Sequence, residues 1–205
     1  MSTVPHRVVV ASKNPDKIRE VEAVLARMDQ PWEIVRGLDW PDVDETEPTL
    51  EGNATLKAVA VSKATGLPAL ADDTGLEVDA LDGAPGVHSA RFAGPEASYE
   101  ANVDRLLADM EGVEDRTARF RTAIALVVPG SEILLVDGVV EGTITTERRG
   151  DRGFGYDPVF AVGDRTYGEM ADDEKNEISH RARALRALAI ALEDSSGRAD
   201  AVVGG

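Results

Sequence analysis

Asp72-Asp73-Thr74-Gly75 is the stretch of this chain whose residue types most directly suggest chemistry. It follows the apolar run Leu67-Pro68-Ala69-Leu70-Ala71 and precedes Leu76-Glu77-Val78, so it reads as a short strand ending in two carboxylates, a hydroxyl and a glycine. Adjacent side chains on extended backbone point to opposite faces, so one aspartate can meet solvent or a cation while its neighbour supports the loop. The same residues also suit a plain polar turn, with Gly75 supplying an unusual backbone angle.

Other segments add the groups an anionic ligand needs. Ser12-Lys13-Asn14-Pro15-Asp16-Lys17 stands between an apolar strand, 7–11, and a helical pattern with Ile18, Val21, Val24, Leu25 and Met28 on one face. Asn14 suits the N-cap and Pro15 the first helical position. A strand, a short loop and a helix start offer free N–H groups and the positive end of the helix dipole, with Lys13 and Lys17 beside them. The glycines of a Walker loop or a dinucleotide fingerprint are absent. Gly153-Phe154-Gly155-Tyr156-Asp157-Pro158 places two rings on a tight backbone, suited to stacking a flat ligand or, equally, to core packing at a turn. A last helix begins near Ser179, with His180 and Arg181 in its first turn and Lys175 before it. Positive charge there opposes the helix dipole and points to a bound anion.

Positioning these groups takes an alternation of strands and helices. Strands are expected at 7–11, 32–36, 118–128, 132–145 and 159–162, the third and fourth joined by Pro129-Gly130-Ser131. Helices are expected from Pro15, from Thr49 to about Ala64 with Leu50, Ala54, Val61 and Ala64 on one stripe, from Ser98 to about Met110, and from Ser179. Lys57 lies one turn after Asn53 and shares its face. Gly83-Ala84-Pro85-Gly86 and Ser89-Ala90-Arg91-Phe92 form a shaped loop beside a site. Residues 1–193 read as one domain with two lobes and residues 194–205 as a flexible tail.

The totals narrow the field. At 205 residues, 42% apolar and 29% charged, the chain describes a globular protein with a sizeable core. A formal charge of −16 argues against a broad nucleic-acid-binding surface, though not against a small anion held by local cations. The chain has no cysteine, which removes disulfides, thiolate metal sites and cysteine nucleophiles and fits a reducing cytoplasm. With 38 acidic residues and three scattered histidines, a hard cation on oxygen ligands, Mg²⁺ or Mn²⁺, is the expected metal. The first seven residues precede no long apolar stretch, so neither export nor a membrane span is expected. Phosphates, a divalent cation and a flat base would satisfy the whole set, which points to a metal-dependent nucleotide-handling enzyme.

The motifs, in order, resemble those of the inosine/xanthosine triphosphate pyrophosphatases, the Ham1/RdgB-like family of house-cleaning noncanonical purine NTP hydrolases. The matching stretches are 11–17, Glu45-Thr46 with Asn53-Ala54, 71–76, 83–86, Ser89-Ala90-Arg91, 153–158, and Lys175 with Ile178-Ser179-His180-Arg181. The resemblance implies a mixed α/β fold with an elongated central sheet flanked by helices, two lobes around a cleft, and a homodimer. It implies cleavage of ITP, dITP or XTP between the α- and β-phosphates, giving the monophosphate and pyrophosphate. Carried over, Ser12, Lys13, Asn14, Pro15, Asp16 and Lys17 hold the triphosphate, and Glu45 and Asp73 bind Mg²⁺ (Mn²⁺ in its place). Asp73 is the proton acceptor and Thr74 contacts substrate, while Phe154, Gly155, Tyr156, Asp157, Lys175, His180 and Arg181 line the nucleotide pocket. Donors from Lys175, His180 or Arg181 would read a 6-oxo group. Two departures stand out. Gly52 replaces a common Glu that would complete a capping box with Thr49, which weakens this helix start, and His88 replaces a usual Tyr. A Maf-like pyrophosphatase of modified pyrimidine nucleotides and a non-catalytic purine nucleotide sensor are the alternatives; the two-carboxylate metal set disfavours the sensor.

Overall fold

The computed structural model describes residues 6–28 and 32–203, the last nine by backbone alone. The alternation expected from the sequence is present. β1 (His6–Val10) leads through Ser12–Asn14 into α1 (Pro15–Leu25), which buries Val21, Val24 and Leu25, and β2 (Trp32–Ile34) returns parallel to β1. α2 (Leu50–Thr65) runs from a Thr49 cap to Gly66, whose positive φ of 69° ends it. Ala58 rather than Ala64 completes its buried stripe, Ala64 being exposed. β3 (Ala69–Val78), the two-residue β4 (Pro85–Gly86), α3 (Tyr99–Asp109), β5 (Thr117–Val127) and β6 (Leu134–Ile144) follow, then β7 (Phe160–Val162) and β8 (Arg165–Thr166). α4 (Asp172–Ile178) is a short acidic helix with no counterpart among the expected elements. α5 (His180–Val203) continues through the segment read as a tail, where only backbone to Val203 is described; residues 1–5 lie outside the described residues.

The strands form one mixed sheet in the order β2-β1-β3-β5-β6-β7-β8, with β4 on β3. β1 pairs parallel with β2 and β3, and the remaining pairings are antiparallel. The alternation of β3 and β5 sorts their side chains by face. Leu70, Ile124 and Leu126 pack under α1 and α5, whereas Ala69, Ala71, Ala123 and Ala125 face α2, whose Ala54 and Ala58 let it lie close. A further core joins the far ends of β3, β5 and β6 to α3 and β7 through Leu76, Val103, Leu106, Phe120, Val140 and Phe160. These cores make two lobes that share the long strands, with a cleft between them.

One expectation changes here. Asp72 and Asp73 do not end a strand; they sit in the middle of β3, opposite Ile124 and Ala123. The strand continues because β5 supplies a partner for every residue from Ala69 to Val78. Gly75 serves the close approach of β4 rather than a turn, since a Cβ there would stand 2.8 Å from the Gly86 carbonyl oxygen. Gly52 likewise answers crowding: its absent Cβ would lie 2.6 Å from Glu47 Cβ, and the Thr49 hydroxyl still accepts from the Gly52 amide at 3.1 Å. The helix start is therefore capped without the missing Glu.

Gly75→Ala should destabilise the protein by about 1–3 kcal/mol, because backbone rather than a flexible side chain occupies the space. Urea unfolding monitored by circular dichroism checks this; an unchanged midpoint would mean that β4 moves aside at no cost.

Candidate functional site

The face-splitting of β3 separates the two aspartates. Asp73 turns toward α2, where the Lys57 ammonium donates to its Oδ1 at 2.9 Å and to Glu45 Oε1 at 2.7 Å. The Asn53 amide donates to Asp73 Oδ2 at 3.4 Å while its own oxygen accepts from the Glu47 amide at 3.0 Å, fixing which way it faces. Asp72 turns the other way. Arg181 donates to its Oδ2 from Nη2 at 2.9 Å and from Nε at 3.2 Å, and Lys17 lies at 3.5 Å.

Their protonation follows. Burial pushes the Asp72 carboxyl upward, but Lys17, Arg181 and Lys57 together hold it far below the usual carboxylate range. At Asp73 burial prevails over Lys57 and Lys17, with the nearby Glu45 adding to it, so this carboxyl is raised. A raised carboxylate lining a cavity is the stronger base of the two.

A cavity of about 460 Å³ opens in front of Asp73, between the lobes. Of the expected residues, Ser12, Lys13, Asn14, Lys17, Glu45, Asp73, Thr74, Phe154, Gly155, Tyr156, Asp157, Lys175, His180 and Arg181 line it. Pro15 and Asp16 do not. Pro15 begins α1, and Asp16 is taken up by Arg19 and by the Tyr99 hydroxyl at 3.2 Å. The start of α1 also differs from an open anion nest: Asn14 Oδ1 accepts from the amides of Asp16 and Lys17, and the cations beside it are Lys13, paired with the exposed Asp42 at 2.5 Å, and Lys17.

The positive helix start near Ser179 is met by carboxylates of the protein as well as facing the cavity. Arg181 is 2% exposed and pairs with Asp72 and with Glu20 of α1. Lys175 pairs with Asp157 and, at 2.6 Å, with Glu20. His180 is no cation: burial, reinforced by Arg181 and Lys175, holds it well below the ordinary histidine value. Its Nδ1 lies 2.6 Å from Thr122 Oγ1, which lies 2.7 Å from Thr74 Oγ1, and its ring stacks on Phe120 at 4.6 Å between centroids. Nε2 has no hydrogen-bond partner among the described residues.

Phe154 supplies a ring at the cavity wall, with Lys175 Nζ 5.0 Å and the Arg181 guanidinium 6.0 Å from its centre. Tyr156 is buried instead, donating to the Ser89 carbonyl at 2.9 Å, so it packs the wall and does not stand free beside a ligand. Glu20, Thr122, Trp40 and Tyr99 were not singled out by the sequence. Glu20 falls on the buried side of α1 among ordinary helix acids, and Tyr99 hides at the first position of a helix. Only folding shows that its hydroxyl reaches Asn14 and that its ring lies 5.8 Å from Phe154.

The fold and this cleft together define a nucleotide-handling α/β protein. The particular family is the Ham1 family, to which the chain belongs: its model matches residues 8–191. A dITP/XTP pyrophosphatase of Bacillus licheniformis is 48% identical over 92% of this chain and 98% of its own, and one of Bacillus subtilis is 44% identical over 90% and 96%. The structure of a HAM1 protein from Coxiella burnetii superposes with a TM-score of 0.82 at 41% identity, covering 92% of this chain and 98% of that one.

Two outcomes follow from the buried charges. Arg181→Met should cost about 3 kcal/mol or more in urea unfolding of the nucleotide-free protein, because it strands Asp72 and Glu20 without a shared partner. His180 resists protonation in the fold, so the unfolded chain binds the extra proton below its ordinary value of 6.5. Stability should fall as pH drops below that point, by at most about 1.4 kcal/mol per unit from this group. His180→Asn should flatten the slope between pH 7.5 and 5.5.

Proposed function

We propose that this chain hydrolyses noncanonical purine nucleoside triphosphates, ITP, dITP and XTP, to the monophosphate and pyrophosphate. The observation that carries the proposal is the Glu45–Lys57–Asp73 cluster at the cavity wall, between the lysines beside α1 and the Phe154 ring. Family membership and relatives named dITP/XTP pyrophosphatase support the substrate class.

In this reading the base lies against Phe154, and the phosphates extend toward Lys13 and Lys17. Asp73 accepts the proton of a water that attacks the α-phosphorus, the bond to the β-phosphate oxygen breaks, and the lysines stabilise the departing pyrophosphate. Two carboxylates gathered round one ammonium form a donor set that fits Mg²⁺, which is usually held by one or two carboxylates together with substrate phosphates. Among the described residues no group of three or more acidic or histidine side chains forms a closed cage. Glu45 and Asp73 would hold the ion. Mg²⁺, or Mn²⁺ in its place, supplies neutralisation of phosphate charge and acidification of water when bound.

Base selection rests on what remains free. Lys175 and Arg181 are committed to carboxylates, which leaves His180 Nε2 as the polar atom of that set available to the edge of a 6-oxopurine. A required hydrogen bond of this kind can discriminate by about 10⁴. The proposal includes one catalytic domain over residues 1–193, a homodimer and a cytoplasmic location, none of which needs a membrane: no helix among the described residues is long and apolar enough to cross one.

Pyrophosphate release from ITP, dITP, XTP, ATP, GTP and TTP, each with and without Mg²⁺, tests the reading; equal turnover of ATP and ITP would overturn it. Asp73→Asn should lower kcat on ITP by about 10²–10⁴ while its urea midpoint stays at or above that of the parent, because a raised carboxyl is a stability cost in its ionised form. Near-parental kcat would move the proton acceptor elsewhere.

A further inference from the structure

Lys57 occupies an unusual place for a residue of the cleft. Its ammonium touches both carboxylates of the proposed cation site and, by reach, belongs to neither: 2.7 Å to Glu45 Oε1 and 2.9 Å to Asp73 Oδ1. The lysine and Asp73 side chains are only 13% and 7% exposed, so their attraction is weakly screened. Asn53 lies one turn earlier on α2 and holds Asp73 from the same helix face, and the Arg91 guanidinium stands 3.6 Å from Glu45 Oε2. The cluster is thus already supplied with positive charge. Lys57 and Arg91 together balance the two carboxylates, a balance that a divalent cation would supply by itself.

We infer that Lys57 is the resident counter-ion of Glu45 and Asp73, and that its ammonium and a divalent cation exclude one another there. This inference rests on the metal reading given above and deepens it. In the nucleotide-free protein a divalent ion entering between the carboxylates meets an ammonium within hydrogen-bond distance of both, and like-charge repulsion offsets most of what the carboxylates offer. A bound triphosphate changes the balance, because its oxygens give the Lys57 ammonium a second anionic partner. The flexible four-carbon stem lets the charge swing to them, and the carboxylates are then released for the cation that accompanies the phosphates. The exchange couples metal binding to nucleotide binding and keeps the acid pair from collecting free divalent ions between turnovers.

Calorimetric titration of nucleotide-free protein with Mn²⁺ alone tests the exchange. Lys57→Met should bind Mn²⁺ at least about tenfold more tightly than the parent, and Mn²⁺ should raise its melting temperature more than it raises the parent's. Lys57→Arg retains the charge and should show no such gain. Lys57→Gln carries the same comparison should Lys57→Met fail to fold. Equal or weaker Mn²⁺ binding in the charge-removed variants, or an equal gain in Lys57→Arg, would overturn the inference. A failure of the underlying metal reading has a different signature: the parent would take up no Mn²⁺ even beside a non-hydrolysable ITP analogue.

Discussion

The arrangement of the cleft depends on one buried guanidinium. Arg181 lies at the start of α5 and reaches both Asp72 in the middle of β3 and Glu20 on α1, so a single side chain ties sheet and two helices together. Burying three charged groups is unfavourable unless each finds a partner, and here each partner is fixed by a different element. Lys175 extends the network to Asp157, which in turn accepts from the Phe154 amide at 2.8 Å and sets the turn that carries the ring. The aromatic wall, the helix start and the strand are therefore positioned by one continuous set of ion pairs beneath the cavity.

That network explains why neighbouring aspartates have different surroundings. The two-residue period of an extended strand sends Asp72 into the ion pairs and Asp73 to the cavity wall. Their environments then push the two carboxyls in opposite directions, one held ionised by cations and the other raised by burial. That contrast needs no difference in residue type, only a difference of one position along β3.

The period of strands and helices was legible in the sequence because it depends on local patterning: the Asn14 cap, the Thr49 cap, the apolar runs of β1 and β5 and the hairpin between β5 and β6 all appear in the folded chain. The cleft was legible as a set of residue types whose order along the chain matches a known family. What local pattern could not convey is partnership. Asp72 to Gly75 read as a strand end because two aspartates and a glycine disfavour strands, and only the ten-residue ladder to β5 overrides that preference. Arg181 and Lys175 read as ligand-binding cations because Glu20, 155 or more residues away, carries no signal that it will meet them. The acidic α4 gave no apolar stripe to detect, since its buried members are Lys175 and Asn176.

Two of the contacts between the lobes, beyond the strands they share, differ in kind. Lys175 of α4 meets Glu20 of α1 in a dry setting, where parting two charges costs several kcal/mol. Tyr99 of α3 meets the Asn14 amide and the Asp16 carboxylate of the same helix through one exposed hydroxyl, where competing bonds to water offset most of what each contributes. The contact of α1 with α3 is therefore the weaker of the two, and its weakness lies at a residue that bears none of the proposed chemistry.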